Sequence, residues 1–172
     1  MYKNIIRPVL FMMNPETAHG FTVASLKILR HIPFGKYIAD KLFTVNDKRL
    51  QRNVLGLMFR NPVGIAAGLD KNAECFDMLS HMGPGFIEVG TVTPVGQQGN
   101  PKPRLFRLPK DKALINRMGF NNNGAEECAK NISKLRKRCA PGTIIGGNVG
   151  KNTATDNTDA PKDYLKAFGG FF

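Results

Sequence analysis

Tryptophan is absent from this chain of 172 residues, and only three cysteines occur. These cysteines, Cys75, Cys128 and Cys139, lie far apart and lack the short spacings of metal ligands. Reduced thiols in a reducing compartment are therefore expected, and no metal site is predicted. No run of about 20 apolar residues is present, so no transmembrane helix is predicted. The first residues also lack the apolar stretch and cleavage site of a signal peptide, which indicates an intracellular protein.

Acidic residues are scarce: 13 stand against 25 lysines and arginines, which gives a net charge of +12 at pH 7. Such an excess suits a polyanionic partner, either a nucleic acid or an anionic membrane surface. The densest basic run, residues 134–138, ends a predicted helix, where it is either a solvated terminus or a functional patch. A nucleic-acid-binding module needs exposed aromatic residues between its basic ones. Because most phenylalanines fall on predicted core positions, we expect no nucleic acid partner.

Hydrophobic residues make up 42% of the chain, as in folded globular proteins, and residues 1–50 place them at helical spacing. Asn14 and Pro15 form a good helix start, with asparagine as the cap and proline in the first turn. The helix that follows carries these residues on one face: Ala18, Phe21, Thr22, Ser25, Leu26 and Leu29. A further short apolar stretch covers residues 37–42. Such helices either pack on the main domain or lie in a membrane interface.

After residue 52 the pattern changes to short apolar runs that end in glycine, beginning with a predicted hairpin at 53–59. The predicted strands are 63–67, 85–91 and 143–148, and the predicted helices are about 73–82, 124–138 and 161–168. A Pro-, Gly- and Arg-rich excursion covers residues 94–123. The alternation implies βα units and a parallel sheet. Residues capable of chemistry follow the strands, at the edge where sites assemble in βα barrels and in doubly wound sheets alike.

Three segments carry residue types suited to a flat, polar ligand. Residues 64–71 place small side chains at a strand end and finish with Lys71, which either pairs with a ligand carboxylate or lies on the surface of a tight turn. Residues 114–124 include four asparagines, which either recognise the carbonyl and N–H edge of a heterocycle or form turns. Residues 146–152 provide either an asparagine facing a cofactor or a plain turn, and Gly-x-Gly-x-x-Gly is absent.

No Ser/His/Asp arrangement follows from the spacing of these residue types. His19, His31 and His81 lie on or near predicted helices. We interpret them as hydrogen-bonded or exposed side chains rather than as metal ligands.

Taken together, four strings resemble class 2, quinone-linked dihydroorotate dehydrogenase. They are NPVGIAAGLDK at 61–71, IEVGTVTP at 87–94, GNPKPRLFRL at 99–108 and INRMGFN at 115–121. The resemblance implies an α/β fold, a (β/α)8 TIM barrel of the FMN-linked oxidoreductase type with only its first half present, after a small N-terminal helical region. It also implies two domains: a helical membrane and quinone-access region at 1–50, and the first half of the FMN-binding barrel at 51–172.

Proteins of this family are flavoproteins that oxidise (S)-dihydroorotate to orotate in de novo pyrimidine (UMP) biosynthesis, with FMN as hydride acceptor and a membrane quinone as final electron acceptor. The resemblance places these residues at the flavin: Ala66, Ala67, Gly68, Thr91 and Asn148. It places these at the substrate: Lys71, Asn116, Arg117, Met118, Gly119 and Phe120. Lys71 would bind the orotate carboxylate, and Asn116 would hydrogen-bond the pyrimidine beside Phe120. His19 and Arg107 match positions near the quinone entrance.

The chain departs from the family pattern at its end. The family's catalytic serine lies in an Asn-Val-Ser-type segment that does not occur here, and Ser25, Ser80 and Ser133 lie outside the matching motifs. We therefore expect the base beyond Phe172, together with the second half of the barrel and most of the flavin phosphate site. The chain alone is expected to be marginally stable and inactive. The resemblance implies a peripheral enzyme on the cytoplasmic side of the inner membrane, and a noncatalytic interaction protein derived from the barrel is the alternative.

Overall fold

The computed structural model describes residues 2–171, and helices precede and flank a small sheet. A π-helical turn, Tyr2–Ile6, leads into six helices: α1 Arg7–Met12, α2 Pro15–Leu29, α3 Gly35–Phe43, α4 Phe76–Ser80, α5 Ala125–Leu135 and α6 Ala160–Phe171. Short 3-10 turns occur at Lys48–Leu50, Arg136–Arg138 and Asn157–Asp159. The strands are β1 Arg52–Val54, β2 Leu57–Phe59, β3 Gly64–Ile65, β4 Phe86–Val92, β5 Leu105–Leu108, β6 Ala113–Asn116 and β7 Ile144–Val149. Within residues 2–171 no helix is both long and apolar enough to cross a membrane.

The predicted helical start of the chain is confirmed, as is the cap of α2. The side chain of Asn14 accepts a hydrogen bond from the backbone N–H of Glu16 at 3.0 Å, and Pro15 occupies the first turn. Only some of the residues predicted on one face of α2 point towards the rest of the chain. Ala18 is buried, whereas Phe21 is 53% exposed, because α2 contacts the rest of the chain along a single stripe.

The parallel sheet predicted after residue 52 is confirmed, with the strand order β3-β4-β7. Both pairings are parallel, and α4 and α5 form the connections between the strands. The first strand has two residues instead of the five predicted. A Cβ on Gly64 would come within 2.1 Å of the Phe86 ring, so the ring of the neighbouring strand occupies the space beside β3. That ring also packs edge-on against Phe59 at 5.6 Å.

The core lies between this sheet and the helices α4, α5 and α6. Its buried members are Ala73, Cys75, Phe76, Leu79, Ile87, Val89, Val92, Ala125, Cys128, Leu135 and Ala167. All three cysteines are free thiols, and two of them belong to this core. The core therefore holds the parallel strands in register, which fixes the loops at their carboxyl ends.

Two antiparallel hairpins complete the fold. The hairpin predicted at 53–59 is present as β1 and β2. The hairpin formed by β5 and β6 was not predicted, because it lies inside the Pro-, Gly- and Arg-rich excursion and β6 is exposed along its whole length. A strand with neither face buried shows no alternation of apolar and polar residues.

His81 connects the helical region to the sheet region. It is 6% exposed, and its Nδ1 lies 2.8 Å from Asp40 in α3, while its Nε2 lies 3.0 Å from the carbonyl oxygen of Arg138. Lys36 of α3 donates to the same carbonyl at 2.7 Å. His81 is thus a hydrogen-bonded structural residue, as the sequence indicated.

Candidate functional site

The loops at the carboxyl ends of β3 and β4 meet the loop 116–120, here called the rim loop. Together they enclose a cavity of about 330 Å³. Its lining consists of Ala67, Gly68, Lys71, Thr91, Asn116, Arg117, Met118, Gly119 and Phe120. Every one of these is a residue that the sequence assigned to the flavin or the substrate. Residues up to 53 positions apart in the chain are therefore gathered at one place.

The floor of the cavity is backbone. Gly68 donates its N–H to the carbonyl oxygen of Gly90 at 2.8 Å, and Ala67 donates its N–H to the Glu88 carboxylate at 3.2 Å. Gly68 has a φ of +109°, and a Cβ built on it would meet no atom within 4 Å. A glycine at this position therefore leaves the space above the backbone open to a ligand. Ala66 is exposed beside this floor.

A short chain of side-chain hydrogen bonds fixes Asn148 at the end of β7. Thr91 Oγ1 donates to Asn148 Oδ1 at 2.6 Å, and Asn148 Nδ2 donates to Glu88 Oε1 at 2.9 Å. The amide orientation of Asn148 is thereby set on both sides. Gly146 and Gly147 lie within β7, and beyond its end Lys151 donates to the backbone carbonyl of Thr155 at 2.8 Å and does not line the cavity.

Glu88 was not singled out from the sequence, although it holds both Ala67 and Asn148. Its neighbours Ile87 and Val89 are fully buried, so the alternation of a strand places the Glu88 side chain on the opposite side of the sheet. A charged residue inside an otherwise apolar strand was the available signal. Its partners lie 21 and 60 positions away, which no local pattern contains.

Lys71 supplies the ammonium group of the cavity. Its Nζ lies 3.1 Å from the carbonyl oxygen of Gly68 and 3.6 Å from the sulfur of Met118. Burial lowers the pKa of Lys71 most, the Arg104 guanidinium lowers it further, and the Glu16 carboxylate raises it. The Lys71 ammonium lies next to a carbonyl and a thioether, neither of which carries a full negative charge. An anionic ligand would therefore stabilise this ammonium more than either neighbour does.

The rim loop is held by backbone hydrogen bonds and by some of its own side chains; Arg117 Nη2, for example, donates to the carbonyl oxygen of Pro103 at 3.1 Å. Asn116 Oδ1 accepts the N–H of Met118 at 2.9 Å, and Asn100 donates to the carbonyl oxygens of Arg117 and Met118 at 2.8 and 2.9 Å. Asn116 and Arg117 are exposed, and the Phe120 side chain is 59% exposed. An amide and an aromatic ring at the mouth of one cavity suit a flat, polar ring.

Of the two residues predicted near a quinone entrance, His19 lies beside this cavity and Arg107 does not. His19 Nε2 is 2.8 Å from the carbonyl oxygen of Leu69, and His19 shares a second cavity of about 620 Å³ with Lys71 and Met118. Arg107 lies elsewhere. It donates to the carbonyl oxygen of Met13 at 2.6 Å and stacks 4.4 Å above the Phe11 ring. The structure brings His19, but not Arg107, next to the candidate site.

Comparison with known proteins agrees with this geometry. The family model described as dihydroorotate dehydrogenase matches residues 49–168. Among curated relatives, the dihydroorotate dehydrogenase (quinone) of Christiangramia forsetii is 49% identical over 172 residues, which is 100% of this chain and 49% of the relative. The protein of the same name from Idiomarina loihiensis is 49% identical over 162 residues, 94% of this chain and 46% of the relative.

A solved structure is similar as well. The crystal structure of DHODH in complex with ferulenol from Eimeria tenella matches with a TM-score of 0.70 and 40% identity, covering 87% of this chain and 39% of that one. The chain spans about half the length of the curated relatives it matches. Because the family model covers well over half of its residues, including all three strands of the parallel sheet, this chain belongs to the dihydroorotate dehydrogenase family.

Proposed function

We propose that the protein containing this chain oxidises (S)-dihydroorotate to orotate, with FMN as hydride acceptor and a membrane quinone as final electron acceptor. The observation that carries the proposal is the cavity of about 330 Å³, which joins one ammonium, one carboxamide and an open backbone floor. Dihydroorotate is a carboxylate attached to an amide-like ring, and these groups match it in kind. The step belongs to de novo pyrimidine biosynthesis.

In this proposal Lys71 binds the substrate carboxylate and Asn116 hydrogen-bonds the pyrimidine ring, with Phe120 packed beside it. The rest of the rim loop, Arg117, Met118 and Gly119, shapes the wall of the cavity. Hydrogen bonds from Asn100 to its carbonyl oxygens, and from its own Met118 N–H to Asn116 Oδ1, keep it in place. The substrate is therefore held by groups that are positioned before it arrives, which favours catalysis through orientation.

The described residues also fit a flat aromatic cofactor. The floor formed by Ala66, Ala67 and Gly68 has small or absent side chains, and the position of a Cβ on Gly68 is open space. Thr91 and Asn148 supply polar groups at its edge, with Asn148 fixed by Glu88. These residues would hold the FMN ring, and FMN, when bound, would accept the hydride of the reaction.

We assign the base that removes the substrate proton to a residue outside this chain. Ser25, Ser80 and Ser133 lie on α2, α4 and α5, and within residues 2–171 no serine lines the cavity. Ser80 is fully buried and donates to the carbonyl oxygen of Asp77 at 2.6 Å, so its hydroxyl is engaged in the fold. The parallel strands and helices of residues 51–172 are proposed to form the first half of the (β/α)8 TIM barrel that completes this site.

Residues 1–50 are proposed to be the membrane and quinone-access region. Several apolar side chains of α1 and α2 are largely exposed, among them Val9 at 51%, Met12 at 86% and Ile28 at 65%. Apolar side chains on short surface helices favour the interface of a bilayer, and the net charge of +12 favours an anionic one. The proposed location is peripheral, on the cytoplasmic side of the inner membrane, with His19 and Arg107 beside the path of the quinone.

Quinone reduction dependent on dihydroorotate tests the proposal. We would measure it for the 172-residue chain and for a chimaera that joins residues 1–168 to the remaining half of the Christiangramia forsetii relative, with excess FMN and detergent. The chimaera should turn over, and Lys71→Ala should raise its KM for dihydroorotate about a hundredfold, since it removes the partner of the carboxylate. The matched control is Lys162→Ala, an exposed lysine of α6. Turnover by the chain alone would refute the assignment of the base, and a KM unchanged by Lys71→Ala would refute the substrate site.

A further inference from the structure

Glu16 and Arg104 form an ion pair that joins the first turn of α2 to the loop before β5. Arg104 Nη2 and Nε donate to the Glu16 carboxylate at 2.7 and 3.2 Å. Arg104 is only 6% exposed, and Lys102 places a second cation 3.3 Å from the same carboxylate. The hydrogen bonds from Arg104 hold the pKa of Glu16 below its ordinary value. Removal of Glu16 would leave the buried Arg104 guanidinium without its carboxylate, whereas Glu16 would keep Lys102 as a partner if Arg104 were removed.

The remaining N–H groups of Arg104 continue the connection to the rim loop. Arg104 Nη1 donates to the carbonyl oxygens of Gln98 and Asn100 at 2.6 and 2.9 Å. Asn100 donates in turn to the carbonyl oxygens of Arg117 and Met118. An unbroken hydrogen-bonded path therefore runs from α2 to the loop that forms the wall of the substrate cavity.

The charges of Glu16 and Arg104 both affect the pKa of Lys71. Glu16 and Lys71 line the same cavity of about 620 Å³. The other ionisable side chains that line it are His19, Lys27, Asp70, Glu74 and Lys102. After burial, the Arg104 cation is the next cause that lowers the pKa of Lys71, and the Glu16 carboxylate opposes it. The two members of the pair thus act on Lys71 with opposite signs.

We propose that Glu16 and Arg104 are positioning residues for Lys71, an inference that rests on the proposed function of the cavity. Arg104 holds the rim loop through the backbone of residues 98–100. Glu16 anchors Arg104 to α2 and balances its charge, so that Lys71 is not faced by an uncompensated second cation. The helix α2 lies beside the proposed quinone path. The pair thereby joins α2 to the substrate site in one charge-balanced, hydrogen-bonded network.

Titration of the Lys71 side chain in the 172-residue chain, followed by NMR of isotopically labelled lysine, tests the charge balance. Glu16→Gln should lower the pKa of Lys71, Arg104→Gln should raise it, and the double variant should return it toward the unsubstituted value. Loosening of the structure alone would expose Lys71 and raise its pKa in all three variants. Glu16→Asp keeps the charge and should leave the titration nearly unchanged, and Lys130, an exposed lysine of α5, is the internal standard. A pKa of Lys71 that fails to fall in Glu16→Gln overturns the proposal.

Kinetics of the chimaera provide the second measurement. Glu16→Gln should raise KM for dihydroorotate about tenfold and leave kcat within about twofold, because it weakens the anchor of Arg104 and so loosens the rim loop that lines the substrate cavity, without touching the chemical step. Glu16→Asp should recover most of the lost affinity. An active chimaera whose KM is unchanged by Glu16→Gln overturns this inference and leaves the proposed function standing. A folded chimaera without activity overturns the proposed function, while the signs of the Lys71 shifts still decide whether the pair controls this lysine.

Discussion

Arg30 and Asp77 form a two-pronged ion pair between the end of α2 and the inner face of α4. The Nε–Oδ2 and Nη2–Oδ1 distances are 2.8 and 2.7 Å, and the same guanidinium donates to the carbonyl oxygen of Glu74. The Asp77 side chain is fully buried, and that of Arg30 is 10% exposed. This pair therefore fastens the helical region directly to the core.

We expect Arg30→Ala to lower the free energy of unfolding by about 3–5 kcal/mol, because it leaves the Asp77 carboxylate buried without its partner. Urea unfolding at pH 7 measures the difference. The control is Lys130→Ala, which removes an exposed pair with Glu126 on α5 and should leave the midpoint nearly unchanged. Equal midpoints for the two variants would show that Asp77 finds another partner.

Asp70, in the loop after β3, accepts backbone hydrogen bonds that support the loop, while its burial makes the charged form of its carboxyl unfavourable. It is 3% exposed and accepts the N–H groups of Glu74 and Cys75 at 2.7 and 2.8 Å. Asp70→Ala should be less stable than Asp70→Asn by about 1–3 kcal/mol, because alanine leaves both donors unsatisfied. Chemical denaturation of the two variants under identical conditions checks this difference.

The contribution of Asp70 to the free energy of unfolding should fall as pH rises. Burial raises the pKa of its carboxyl against the opposing backbone hydrogen bonds. Its contribution to stability is therefore fully present below the unfolded pKa of about 4 and is lost as pH rises through the higher folded value. Asp70→Asn should gain in stability relative to the unsubstituted chain between about pH 4 and pH 7. A difference that stays constant over this interval would contradict the shift.

Stability at alkaline pH should depend on the buried thiols. Cys128 is fully buried in the core, and burial raises its pKa to about 12. Because the folded pKa is raised, the contribution of this thiol is complete below the unfolded pKa of about 8.5 and is lost as pH rises toward the folded value. Between pH 8 and pH 10 the unsubstituted chain should lose about 2 kcal/mol more than Cys128→Ala. Parallel denaturation curves at both pH values measure this, and equal losses would refute it.

The attachment of α1 should depend on Arg107. No residue of α1 is buried, whereas Arg107 donates to the carbonyl oxygens of Leu10 and Met13 and stacks on Phe11. Arg107→Lys lacks the planar fork needed for these contacts. Chymotryptic cleavage after Phe11, within α1, should become about tenfold faster, since cleavage follows local opening. Arg49→Lys, at an exposed turn, is the control, and equal cleavage rates would show that other contacts hold the helix.

The order of helices and parallel strands followed from the sequence because hydrophobic periodicity is local. The predictions failed where tertiary contacts determine the length or position of a strand. The first parallel strand ends after Ile65, where the Ala67 N–H bonds the Glu88 side chain instead of a strand carbonyl, and β6 has no buried face to leave a pattern. Neither feature is contained in a short window of sequence.

The sequence predicted the residues that line the candidate site but not the residues that hold them in place. Lys71 and Asn116 lie in strings of sequence that resemble the family, and the structure brings both into one cavity. Glu16 and Arg104 were missed because their bond joins residues 88 positions apart. Spacing arguments find side chains that share an element, and they fail for ion pairs between distant loops.

Beside the ion pairs Arg30–Asp77 and Glu16–Arg104, further contacts between the helical region and the sheet region join a side-chain donor to a main-chain carbonyl. His19, Lys36 and Arg107 each reach a main-chain carbonyl, at Leu69, Arg138 and Met13 respectively. A carbonyl is present whatever side chain its residue carries, so the accepting positions are free to mutate while the donors are not. The side chains at these three accepting positions can therefore change without detaching the helices, provided that the three donors and the two ion pairs are kept.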